Sequence, residues 1–161
     1  MILDIKVLHL LKYHEGFVAV PTPCPTGHMT IGYGHNLDAH PIDDTLARIK
    51  GWDAHWKTTG ITEKQASTLL EDDLEKVVHQ LRTHVPVFTN LDSVRQAVLL
   101  DMAFNLGISG LLKFTQTLNS IKQRSFLGAA ICMGDSKWAR QVKIRAHRLC
   151  DMMATGQWPT L

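Results

Sequence analysis

A chain of 161 residues is long enough to bury a core and fold unaided, as one unit or as two small lobes. Hydrophobic residues at 45% and charged residues at 20% exclude a disordered chain and suit a globular one. The formal charge of +2 selects no partner, although Lys137, Arg140, Lys143, Arg145 and Arg148 form a basic stretch without an acid, which suits either an anionic polymer or a solvated helix face.

From Met1 to Lys12 the apolar residues are interrupted by Asp4, Lys6 and His9. That pattern predicts an amphipathic helix, not a signal peptide or a membrane span. The chain is therefore expected in the cytoplasm that makes it until a separate protein permits release. The helix should stop near His14. From Phe17 to Leu37, Pro21, Pro23, Pro25, Gly27, Gly32 and Gly34 fall among β-formers such as Val18, Val20, Thr30, Ile31 and Tyr33, so short strands and tight turns are expected. Pro41 and Asp43 start a helix that Gly51 ends.

Thr62 and Gln65 form a capping box. It opens the most regular helix, with Ala66, Leu69, Leu70, Leu74, Val77, Val78 and Leu81 at helical spacing and Pro86 marking the end. Beyond Asp92, a candidate N-cap, Val94 to Leu106 is apolar on nearly every side and predicts a central helix ended by Gly107. Further helices are predicted at Thr115–Lys122, Phe126–Met133, Lys137–Val142 and Lys143–Thr155, the last closed by Gly156. The class is α+β. A small β-containing lobe over 13–60 and a linking helix over 62–84 precede a mainly helical lobe of 85–161, which also takes in 1–12. Three cysteines and nine histidines show no metal-ligand spacing, so neither a metal, another cofactor nor a disulfide framework is expected. Nothing points to a stable oligomer, and a monomer is expected.

Glu15-Gly16 falls where the first helix gives way to strands, and alone it reads as a solvated turn. In Thr30-Ile31-Gly32-Tyr33-Gly34-His35, strand alternation puts Thr30, Gly32 and Gly34 on one face, small enough to leave a groove. Cys24 is bracketed by Pro23 and Pro25 in a turn-rich stretch, an unusual place for a core cysteine. A thiol held there could act as base or nucleophile once ionised.

Eight residues separate Glu15 from Cys24, and five separate Cys24 from Thr30. This pattern resembles the Glu–(8)–Asp/Cys–(5)–Thr triad of phage lysozymes of the T-even type, glycoside hydrolase family 24. The resemblance continues through Asp92-Ser93-Val94-Arg95, Ala103-Phe104-Asn105-Leu106-Gly107, Phe114-Thr115, Ser136-Lys137-Trp138, Arg145-Ala146 and Thr155-Gly156-Gln157-Trp158. It implies a lysozyme-like fold and hydrolysis of the β-1,4 bond between N-acetylmuramic acid and N-acetylglucosamine in bacterial peptidoglycan, with no nucleic-acid partner and no stable membrane insertion. Glu15 would be the proton donor, and Cys24, where the best-known members carry aspartate, the base or nucleophile. Thr30 would orient water, which favours inversion at the anomeric carbon over retention.

Gly32, on the groove face of its strand, is expected on the substrate side. The same resemblance gives Phe104, Asn105, Ser136 and Gln141 substrate-side roles, with Cys132 where a polar contact would be expected. It pairs Asp73, which interrupts the apolar stripe of the long helix, with His35 as structural support. It also pairs Arg145 with Glu15, against the plainer reading of a solvated charge. Trp138 reads as core. Two other readings stay open: a peptidoglycan peptidase using Cys24 and His35, and a catalytically inactive wall-binding module. Disruption of membranes by the basic C-terminal helix is disfavoured, because Leu149, Met152 and Met153 tie that helix into a core.

Overall fold

The computed structural model describes residues 4–161, so the part of the N-terminal helix expected at Met1 to Leu3 lies outside it. Asp4 accepts from the Lys6 amide and starts α1 (Ile5–Glu15), which turns Val7, Leu10 and Leu11 inward. Gly16, at φ +70°, ends the helix by donating its amide to the Lys12 carbonyl. An antiparallel sheet in the order β1 (Val18–Pro23), β2 (Met29–Gly32) and β3 (His35–Asn36) follows. Val18 opposes Gly32 and Thr22 opposes Thr30, with an irregularity between them that contains Pro21, a residue unable to donate to a ladder.

The expected single run from Thr30 to His35 is broken. Gly32 at φ +66° and Gly34 at φ +78° fold the chain back, so that Ile31 opposes His35. Strand alternation therefore does not reach Gly34, which stands in the turn. α2 (Asp44–Ile49) is capped by Asp43 through the Leu46 amide. A short α3 (Trp56–Thr59), not legible in the sequence, buries Trp56 edge-on to Trp52.

The capping box forms as expected. The Thr62 amide donates to Gln65 Oε1 at 2.8 Å, and the Gln65 amide to Thr62 Oγ1 at 3.2 Å. It opens α4 (Glu63–His84), roughly 33 Å long at 1.5 Å per residue, with Ala66, Leu69, Leu70, Leu74, Val78 and Leu81 buried. A 3-10 turn (Pro86–Asn90) follows.

The contacts divide the chain within α4 into one unit ending at Glu75 and another running from Lys76 to Leu161. The first takes in α1, a partition that differs from the expected grouping of 1–12 with the later helices. In the second, Asp92 caps α5 (Ser93–Leu112). Gly107, at φ +72°, breaks α5 at the predicted stop, and a short helical run continues beyond. Next come α6 (Thr115–Lys122), α7 (Phe126–Gly134), α8 (Lys137–Val142) and α9 (Ile144–Thr155), within one residue of expectation at every end. Their core is Leu99, Leu100, Met102, Ile121, Met133, Leu149 and Met153. Arg95 braces it: its guanidinium donates to Asp92 and to the carbonyls of Met153 and Ala154, and stacks 3.7 Å over Phe126. No single described helix is long and apolar enough to cross a membrane.

Candidate active site

Glu15 is the last residue of α1, and the positive-φ glycine behind it turns the chain directly into β1. Its carboxyl group lies against Gly34. A β-carbon at position 34 would sit 2.7 Å from Glu15 Oε2, closer than real contacts allow, and a tight 3.1 Å from Cδ. The bare glycine in the β2–β3 turn leaves room for the Glu15 carboxyl group where it stands.

Cys24 stands at the other end of the β1–β2 hairpin, in a five-residue tip closed by two backbone bonds. The Cys24 amide donates to the His28 carbonyl and the Gly27 amide to the Cys24 carbonyl, each at 2.8 Å. Its Sγ lies 3.0 Å from Thr26 Oγ1. That hydroxyl, followed by the amides of the tip, holds the thiol below its ordinary pKa by favouring the thiolate, against a smaller opposing effect of desolvation. Thr30 lies between the two, opposite Thr22, and its hydroxyl donates to the Thr22 carbonyl at 3.1 Å. The donor is committed, so the oxygen lone pairs remain to accept from a water.

Gly32, expected on the substrate side, is buried. A β-carbon there would lie 3.2 Å from the Ala66 side chain, so the glycine lets α4 approach β2 closely. His35 is also buried, its Nδ1 2.6 Å from Asp73 Oδ2 and its Nε2 2.9 Å from the His40 carbonyl. Both ring nitrogens are engaged, Nδ1 with the Asp73 carboxylate and Nε2 with the His40 carbonyl, so neither is open to Cys24. The Cys24/His35 peptidase pair thus lacks its base.

In the second unit, Phe104 and Asn105 end the regular part of α5 ahead of Gly107. Asn105 Oδ1 accepts from the indole of buried Trp138 at 2.9 Å, which directs the amide NH₂ outward. Trp138 packs edge-on to Phe114, a core position as expected. Ser136 is the N-cap of α8: its hydroxyl accepts from the Ala139 amide and donates to the Met133 carbonyl. Gln141 is exposed on α8, and Cys132 on α7 is half-buried.

Arg145 is buried, and its Nε donates to Asp101 Oδ1 at 2.8 Å, so the solvated-charge reading does not hold. Asp101 is fully buried and was not singled out from the sequence. Its signal was an acid inside the otherwise apolar Val98-Leu99-Leu100-Asp101-Met102-Ala103 run, since a buried carboxylate requires a partner. Among the described residues no group of three or more His, Cys, Asp or Glu side chains is placed to hold a metal ion.

Known proteins align with these features over most of the chain. The family model described as phage lysozyme matches residues 12–149. The chain is 31% identical over 162 residues to the pre-baseplate central spike protein Gp5 of Enterobacteria phage T4, across 95% of this chain and 28% of that protein. It is 27% identical over 167 residues to probable T4-type lysozyme 1 of Dictyostelium discoideum, across 97% of this chain and 96% of that one. An endolysin of Acyrthosiphon pisum secondary endosymbiont phage 1 is 26% identical over 143 residues, across 89% of this chain and 83% of its own length. The chain thus spans little more than a quarter of the spike protein and nearly all of the Dictyostelium lysozyme.

Proposed function

The chain belongs to the phage lysozyme family and is a glycoside hydrolase of the lysozyme type, and we propose that it cuts the β-1,4 bond between N-acetylmuramic acid and N-acetylglucosamine in bacterial peptidoglycan. The observation that carries this reading is the Glu15 carboxyl group, set at a helix end against a glycine that leaves it room.

Glu15 gives its proton to the glycosidic oxygen as the bond from that oxygen to the anomeric carbon breaks. A water enters from the opposite face of the sugar. It donates one hydrogen to the Thr30 oxygen, whose own hydrogen is committed to Thr22, and the other to the Cys24 thiolate. As the water oxygen bonds to the anomeric carbon, its proton passes to Sγ and the configuration inverts. The Thr26 hydroxyl supports this role by favouring the thiolate. Gly32, Phe104, Asn105, Ser136 and Gln141 are assigned to the saccharide side. The exposed Asn105, its Oδ1 already held by the Trp138 indole, suits that role most directly. His35 with Asp73, and Arg145 with Asp101, act as structural support. The partner is peptidoglycan, reached from the host cytoplasm when a separate protein permeabilises the membrane, and the enzyme acts as a monomer of one catalytic domain.

The test is turbidity loss of purified Gram-negative peptidoglycan by wild type, Glu15→Gln and Cys24→Ser, with analysis of the released ends. New reducing sugars, reduced about 10²- to 10⁴-fold by Glu15→Gln, are expected from loss of a general acid. Lysis that survives Glu15→Gln, or releases amines instead of reducing ends, overturns the reading. Absence of lysis by wild type would favour a wall-binding module. Retention in the first-formed anomer would replace the water step with direct attack by Cys24.

A further inference from the structure

Within the second unit, α7, α8 and α9 line a groove of about 280 Å³. Ala130, Gly134 and Ala146 contribute its small-residue surface, while Arg140, Lys143 and His147 supply every charged or titratable nitrogen that lines it. No acid lines it. Arg140 is held in place by donating Nη1 to the Asp135 carbonyl, and His147 has Asp151 3.6 Å away. Lys143 is the single residue between α8 and α9, at φ +50°, where a side chain is rarely placed.

Gly134 makes the groove informative. It is helical, with no positive φ, and a β-carbon there would meet only Cys150 Sγ at 3.8 Å, an ordinary contact. Glycine in a helix is less favourable than alanine, so neither the backbone nor the packing of its neighbours explains it. Gly128 in the same helix differs, because a β-carbon there would lie 2.6 Å from Ser125 Oγ. What the missing side chain at 134 leaves is the open space of the groove.

We propose that this groove is a binding site for a phosphate ester, separate from the glycosidase chemistry. Arg140 and Lys143 meet the phosphate oxygens, and a glycerol-sized organic part lies on Ala130, Gly134 and Ala146. The arginine suits a tetrahedral anion through its fork of donors, and lysine adds a mobile charge. A concavity of this size holds more than a bare ion.

The test is titration of ¹⁵N-labelled full-length protein with glycerol 3-phosphate, inorganic phosphate and acetate, reading amide shifts. Saturable shifts confined to residues of α7–α9 that border the groove, with glycerol 3-phosphate ahead of phosphate and acetate inert, are expected. Arg140→Gln with Lys143→Gln should weaken binding about tenfold or more. Gly134→Leu fills the groove while leaving every charge in place, and should abolish the shifts with peptidoglycan lysis unchanged. Co-sedimentation with phosphatidylglycerol and phosphatidylcholine vesicles separates the sources. Capture by phosphatidylglycerol alone, competed by glycerol 3-phosphate and lost in Gly134→Leu, makes the ester a lipid headgroup; its absence beside binding of the soluble compound makes it a free ester. A Gly134→Leu protein that titrates like wild type, or no saturable shifts in wild type, overturns the proposal.

Discussion

In the first unit, Glu15, Thr30 and Cys24 stand where the backbone bends. Gly16 ends a helix behind the first, Gly32 and Gly34 turn the chain just after the second, and the tip closed by Gly27 carries the third. In the second unit, Arg145 and Asn105 are held by other side chains: a fully buried aspartate for the one and the indole of a core tryptophan for the other. The first arrangement is specified locally and tolerates solvent, because short strands and tight turns place groups within a few residues of sequence. The second depends on partners far apart in the chain, Asp101 with Arg145 and Asn105 with Trp138. A change in the first unit should therefore damage chemistry more than folding, and a change in the second should do the reverse.

The largest effect expected on that comparison is from Asp101→Ala. Removing the aspartate breaks the buried bond that Arg145 Nε makes to it, and losing one member of a buried ion pair typically costs about 3–5 kcal/mol. The midpoint of denaturant unfolding should fall with the slope unchanged. Asp101→Asn keeps an acceptor for Arg145 Nε and should cost less. If both variants unfold like wild type, the second unit does not rest on this pair and the contrast fails.

Next is Gly34→Ala, the converse case. The added methyl would overlap the Glu15 carboxyl group, which must then move, and misplacement of a reacting group by about 1 Å can cost on the order of 10²-fold in rate. The positive φ at position 34 adds strain of roughly 1 kcal/mol to the folded state. Loss of kcat/KM far beyond the change in Tm is expected, measured on the same preparation. Equal losses would mean that Gly34 serves the turn and not the acid.

The contrast also explains what was legible in the sequence. Helix starts at Asp43, Thr62 and Asp92, and the break at Gly107, are written in residues adjacent to the event, through side-chain caps and one permissive glycine. The α+β class and the last four helices follow from the same local signals. The split of Thr30–His35 into two strands was harder, because alternation and a turn containing two glycines compete over six residues and the turn prevails. α3 is four residues long and carries no periodicity to read. Asp101 was visible only as an anomaly, since its partner lies 44 positions away and no spacing rule connects them. Gly32 illustrates a different gap: a glycine beside a ligand and a glycine beside a helix look the same until Ala66 is in view.

The smallest effect is the most specific to the thiol. Cys24 is partly exposed, and its pKa is lowered first by the Thr26 hydroxyl and then by backbone amides of the hairpin tip. If the thiolate is the base, activity is lost as pH falls below the thiol pKa, and that limb of the kcat/KM profile should start below the ordinary thiol range. Thr26→Val removes the leading cause while leaving the tip bonds between Cys24, Gly27 and His28 in place, so the limb should move towards higher pH with the plateau rate little changed. Cys24→Asp supplies a carboxylate with an ordinary pKa of about 3.9 and should move the same limb down by several units. A limb that ignores both substitutions belongs to another group, and the base would then have to be sought outside the hairpin tip.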